Sequence, residues 1–168
     1  RSLIDMKSAW EINTGSDTSV VAIVDTGVDY NHEDIKNNMW MNIDEIPDNH
    51  IDDDNDGFID NIYGANYAYE NGDPMDDNGH GTHCAGVIGA VGNNNKGIVG
   101  VNWQTKIMAI KALNSKGEGL SSSLAKGIKW AADNGADIIS NSWGSDFRLP
   151  SNPIVEDAVE YANKKGCL

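Results

Sequence analysis

The chain has 168 residues, 39% of them hydrophobic, with 12 basic against 26 acidic side chains and a net charge of −14. That length holds one domain, or one piece of a larger one, with a real core, and the charge argues against nucleic acid or an anionic membrane as partner. No apolar run approaches the ~20 residues that span a bilayer, and Arg1 is not followed by the apolar core of a signal peptide. A soluble chain is expected, its targeting segment removed or never included. Two cysteines, Cys84 and Cys167, exclude a disulfide scaffold.

The β-branched run Val20–Val24 reads as a buried strand that stops in the turn Asp25-Thr26-Gly27. From Asn31 to Gly79 the chain is rich in Asp, Asn, Gly and Pro. An irregular stretch of that length inside a compact domain is usually functional or metal-braced. The small-residue run from Gly79 to Gly86 leads into a tightly packed helix, and Ile107–Leu113 reads as a second buried strand. Leu124, Ile128, Ala131 and Ala132 share one face of a helix from about Ser121 to Asn134, which Gly135 terminates. Ala136–Ser140 is a third strand. The final helix has Asn152 to cap it and Pro153 in its first turn, with Glu156 and Asp157 at its positive end and Lys164 and Lys165 at its negative end. Its apolar stripe is Ile154, Val155, Ala158, Val159 and Ala162, and Cys167-Leu168 begins another strand. Strands alternating with helices predict a three-layer α/β fold, a mostly parallel sheet covered on both faces, with function gathered at the carboxyl ends of the strands.

Two groups of residues carry candidate chemistry. Asp25 ends a strand and His80 opens a helix; a carboxylate that fixes one imidazole nitrogen frees the other for acid–base work. Separately, Asp52, Asp54, Asp56, Phe58 and Asp60 place oxygen donors at alternate positions, with Gly57 sixth, as in EF-hand-type calcium loops. At the seventh position, Phe58, such loops use the backbone carbonyl. Position twelve is Tyr63 rather than Glu, which excludes a complete EF-hand, and a solvated acidic loop is the competing reading. His83 reads as a structural hydrogen-bonder. A metal-dependent hydrolase built on Asp25, His80 and His83 lacks the His-Glu-x-x-His companion.

Three segments, Val24-Asp25-Thr26-Gly27-Val28-Asp29, Asp77-Asn78-Gly79-His80-Gly81-Thr82-His83-Cys84-Ala85-Gly86 and Ile139-Ser140-Asn141-Ser142-Trp143-Gly144, resemble in order the aspartate, histidine and substrate-strand motifs of the subtilisin-like serine proteases. The resemblance runs from about Ala9 to Gly166 and implies that residues 1–168 are the N-terminal part of one peptidase catalytic domain, truncated before its last strands, with an acidic calcium insert at about 44–64. It implies that Asp25 is the orienting acid and His80 the general base of an Asp-His-Ser triad. The family's Gly-Thr-Ser-Met-Ala nucleophile motif does not occur in the chain, and the nucleophile and oxyanion-hole asparagine are expected beyond Leu168, leaving these residues inactive alone.

By the same resemblance Gly117, Glu118, Gly119, Ser142, Trp143 and Gly144 bind a polypeptide substrate, Trp143 walling an apolar pocket or serving as a core residue. Asp34 and the loop 91–98 match a calcium site of the family, with Asp34 and Asn94 as its side-chain ligands. Cys84 falls where one branch of the family places a thiol near the histidine, and its preferred reading is a small buried hydrophobe. A propeptide in the precursor, a secreted or extracytoplasmic location and no organic cofactor are also implied. The alternative is a calcium- or peptide-binding relative without the serine. With the last strands missing, the apolar faces of Val20–Val24 and the final helix are expected to be uncovered.

Overall fold

A computed structural model describes residues 4–144 and 152–168. After a short helix α1 (Met6–Trp10) the order is β1 (Gly15–Asp25), a 3-10 turn (Lys36–Asn38), β2 (Gly64–Asn66), α2 (His80–Gly89), β3 (Gln104–Lys111), α3 (Ser121–Asp133), β4 (Ile138–Ser140) and α4 (Pro153–Lys165). The strands lie in the order β2-β3-β1-β4, and every neighbouring pair is parallel. This is the expected α/β architecture.

The period of two along a strand sorts the core into two layers. Ala22 and Val24 of β1, with Met108 and Ile110 of β3, pack beneath α3 and α4, against Leu124, Ile128, Ala131, Ala158 and Ala162. Val21 and Ile23, with Ile107 and Ala109, face the other way, towards Ala85 of α2, Val28 and Ile35. Asp25 and Lys111 continue this second series and end their strands opposite one another. Both strands therefore deliver their last polar residue to the layer that contains α2.

Element ends differ from the sequence expectation for local reasons. β3 stops at Lys111 because the N–H groups of Ala112 and Leu113 both turn to the Asp25 carbonyl, at 2.8 and 3.0 Å. Ala136 is excluded from β4 because its N–H returns to Ala131 and closes the end of α3. β4 begins once Asp137 binds Val20 through both backbone and side chain. Asn152 stands at the start of α4, but its amide donates to the Ser121 hydroxyl at 2.6 Å and does not cap the helix.

Cys167-Leu168 runs beside β4, Leu168 donating to Asp137 and accepting from Ile139. Of Val20–Val24, residues 21–24 are covered, at 4% exposure or less, contrary to the expected uncovering, and Val20 is half-buried. On α4 that expectation holds for part of the stripe, since Ile154 and Val159 are exposed while Ala158 and Ala162 are buried. No helix among the described residues is long and apolar enough to cross a membrane.

Candidate active site

The end of β1 and the start of α2 meet at Asp25 and His80. Asp25 is fully buried, and its Oδ1 lies 2.7 Å from His80 Nδ1. The Thr26 N–H donates to the same oxygen at 2.7 Å, which sets the carboxylate's rotation. Asp25 Oδ2 is buried with no hydrogen-bond donor among the described residues. The imidazole is half exposed, and its second nitrogen has no hydrogen-bond partner among the described residues. A carboxylate on one ring nitrogen and no such partner on the other suit the ring to accept a proton from outside and to hold it.

Close approach of the two elements depends on Gly81, where a Cβ would stand 2.1 Å from the Gly27 carbonyl oxygen and 3.2 Å from Asp25 Cβ. Gly27 itself has φ near +100°, which the turn after Thr26 requires.

The turn and the helix are then tied by polar contacts. Thr26 Oγ1 donates to Asp76 Oδ1 at 2.9 Å and accepts from the Gly81 N–H at 2.9 Å. Asp76 also accepts from the N–H groups of Asn78, Gly79 and Thr82 and from the Thr82 hydroxyl. Burial pushes the Asp76 carboxyl up, but these bonds from Gly79, Thr82 and Asn78 outweigh it and hold the group below the usual carboxylate value. Asp76 thus satisfies donors at the start of α2 from outside the helix. Sequence reasoning missed it. The available signal was a carboxylate four positions before His80.

Cys84 lies one turn along α2, half buried against the α2 layer, with Sγ 4.0 Å from His80 Nδ1. Burial pushes its thiol up, although a hydrogen bond with Ser142 opposes this. His83 is not the structural hydrogen-bonder expected: its side chain is exposed and makes no hydrogen bond among the described residues. Asp76 already meets the donors of that turn.

Gly117, Glu118 and Gly119 sit in an exposed loop closed by Asn114, whose N–H donates to the Glu118 carbonyl at 2.8 Å. Asn78 Nδ2 donates to the Ser115 carbonyl at 2.9 Å and joins this loop to the His80 segment. A cleft of about 500 Å³ opens beside Glu118 and Gly119, bounded also by Tyr69 and Leu120. Ser142 and Gly144 are exposed just after β4. Trp143 between them is half buried against the α3/α4 core and donates its indole N–H to the Val24 carbonyl at 2.9 Å.

The acidic loop is held by its own side chains. Carboxylate oxygens of Asp52, Asp54 and Glu45 converge within 4.8 Å of one another, an all-oxygen set that suits a hard cation such as calcium. Glu45 was not read from the sequence. Its Oε1 accepts from the N–H groups of Asp53 and Asp54, and its Oε2 from Asp60.

Asp56 points to the core, where its Oδ2 accepts from Trp130 Nε1 and Asn61 Nδ2 and its Oδ1 from the Phe58 N–H. Asp60 accepts from the N–H groups of Asn49 and His50. Phe58 is buried against Tyr67. In the second expected calcium site, Asp34 is buried, with Oδ1 accepting from Asn94 Nδ2 at 2.6 Å and Oδ2 from the Ile98 N–H at 2.9 Å. The Asn94 Oδ1 accepts from Lys96. Asp34 and Asn94 are thus adjacent, with the amide nitrogen turned to the carboxylate.

The subtilase family model matches residues 16–168. Subtilisin-like protease 1 of Plasmodium berghei (strain Anka) is 40% identical over 159 residues, which are 94% of this chain and 26% of that protein. Thermitase of Thermoactinomyces vulgaris is 37% identical over 165 residues, 98% of this chain and 50% of its own. The crystal structure of fervidolysin from Fervidobacterium pennivorans, described as a keratinolytic enzyme related to subtilisin, superposes with a TM-score of 0.72 at 29% identity, covering 96% of this chain and 22% of that one. The chain spans half or less of the length of these relatives. With a family match over nearly its whole length and an aspartate and a histidine joined at the carboxyl edge of a parallel sheet, the chain belongs to the subtilase family.

Proposed function

We propose that the chain is the N-terminal part of a serine endopeptidase catalytic domain, with Asp25 the orienting acid and His80 the general base. The observation that carries this reading is the 2.7 Å contact between buried Asp25 Oδ1 and Nδ1 of a half-exposed His80 ring. His80 Nε2 takes the proton of a serine hydroxyl as it attacks a peptide carbonyl, then returns it to the leaving amine, while Asp25 holds the tautomer and stabilises the imidazolium. The serine and the oxyanion-hole asparagine lie past Leu168 in this reading. Residues 1–168 alone are then inactive, since removing the serine costs such enzymes about 10⁶ in kcat.

A polypeptide substrate pairs with Gly117–Gly119 on one side and Ser142–Gly144 on the other, where small residues let two backbones approach. Calcium is structural in this proposal. Glu45, Asp52 and Asp54 hold one ion, with Asp56, Phe58 and Asp60 completing or bracing the loop, and Asp34 and Asn94 serve a second. A propeptide in the precursor and an extracytoplasmic location follow from the same family reading.

The test is the sequence downstream of Leu168, followed by labelling of the longer polypeptide with a serine-directed phosphonate. Labelling that depends on His80 supports the proposal. A downstream sequence without a Gly-Thr-Ser segment leaves a non-catalytic relative.

A further inference from the structure

Lys111 is among the largest fully buried side chains in the protein, at 1% exposure. A buried ammonium is costly and persists only where acceptors repay it. Here there are two, one in the turn that follows Asp25 and one in the segment that precedes His80. Nζ donates to the Thr26 carbonyl at 2.6 Å and to Asp77 Oδ1. It also lies 5.4 Å from the centre of the Tyr69 ring, whose hydroxyl donates to Asp77 Oδ2.

Each acceptor leads directly to one member of the pair. Thr26 follows Asp25, and its N–H fixes the oxygen that meets His80. Asp77 precedes Asn78, whose Oδ1 accepts from the His80 N–H at 3.2 Å. The strand register places Lys111 opposite Asp25 on the same face of the sheet. One cation therefore spans the turn that carries the acid and the segment that carries the base.

A neutral chain of similar length would fill the space and leave both acceptors without this donor. The groups of the junction that bear or acquire charge are Asp25, His80, Cys84, Asp76, Asp77 and Lys111. Among them Lys111 is the one basic side chain besides the His80 imidazole.

We propose that Lys111 is a positioning residue for the Asp25–His80 pair: its ammonium clamps Thr26 to Asp77 and so holds the carboxylate against His80 Nδ1. This rests on the reading of the pair given above. It predicts that the contact between carboxylate and imidazole loosens when the charge is removed, even in a molecule that remains folded.

The test is NMR of the 168-residue chain, which needs no activity. The Nδ1–H proton of His80, assigned by its loss in His80→Ala, and the nitrogen tautomer pattern are followed in the wild type and in Lys111→Met, below the melting transition of each. The expected result is a slowly exchanging Nδ1–H in the wild type. In the variant that proton exchanges about tenfold faster or is lost, as the removal of a charge-assisted hydrogen bond requires, and the tautomers mix.

Should Lys111→Met fail to fold, Asp77→Asn cuts the clamp from its more exposed end, and a several-fold faster exchange is expected there. An unchanged proton and tautomer in a folded variant overturns the role of Lys111 and leaves the pair intact. Absence of the Nδ1–H in the wild type overturns both.

Discussion

The indole N–H of Trp130, on the buried face of α3, donates to Asp56 Oδ2 across 2.6 Å. An acidic loop that would otherwise be a surface excursion is thereby anchored in the main core. Trp130 is itself buried and stacks edge-on against Trp40. Replacing it with Phe keeps the ring packing but leaves Asp56 Oδ2 with Asn61 Nδ2 as its one remaining side-chain donor among the described residues. The expected cost is about 1–3 kcal/mol, read as a lower midpoint in urea with an unchanged slope.

Calcium should act through the neighbouring carboxylates. Glu45, Asp52 and Asp54 repel one another unless a cation joins them. Excess calcium should raise Tm relative to chelator, by an amount that grows with the logarithm of calcium concentration. Asp52→Asn should reduce that increment. An identical melt with calcium and with chelator would remove the metal from the account.

Acid should release the junction at Asp76. Its folded value is depressed by the donors from Gly79, Thr82 and Asn78, so the stability it contributes is full above the unfolded carboxylate value of about 3.9. That contribution is lost as pH falls through the folded value. Asp76→Asn should lower Tm at pH 7 and flatten its decline below about pH 4. A variant whose Tm falls as steeply with acid as the wild type would show that other groups govern the transition.

Cys84 should be a slow thiol. Burial raises its pKa, so alkylation at pH 7 should lag behind a free peptide thiol and accelerate as pH rises. Quantified by mass spectrometry, labelling as fast as that of a model thiol would contradict the burial seen beside His80.

Gly81→Ala tests the packing of α2 on the turn after Asp25. The added carbon would meet the Gly27 carbonyl oxygen at 2.1 Å, a backbone atom that cannot rotate away. A loss of about 1–3 kcal/mol is expected, with the His80 Nδ1–H exchanging faster as the two elements part.

The parts of this architecture that were legible in the sequence are those fixed by local pattern. The β-branched run before Asp25, the apolar face of α3 and the glycine after α4 each state their own structure. Cys167 confirms the last, its N–H returning to Ala162 as the αL glycine turns the chain.

What stayed hidden depends on partners far along the chain. β2, Gly64–Asn66, has no periodicity of its own and is a strand only because β3 offers it a ladder. Glu45 lies outside the alternating acidic run, and only the folded loop brings it to Asp52 and Asp54. Lys111 did leave a trace, a lone charge inside Ile107–Leu113. Its meaning required the register that sets it opposite Asp25.

That register has a consequence for how such a chain can vary in length. Asp25 reaches α2 because it is an even number of residues from Val21 and Ile23. Inserting one residue within Val21–Val24 would turn the carboxylate into the layer beneath α3 and α4 and aim Val24 at His80; deleting one would turn the carboxylate the same way and bring Thr26 to that place. The stretch between β1 and β2 carries no such parity, because its ends are fixed by the sheet and by the loop's own hydrogen bonds. Homologous chains should therefore differ in length in the acidic loop, about 44–63, far more than across 20–25.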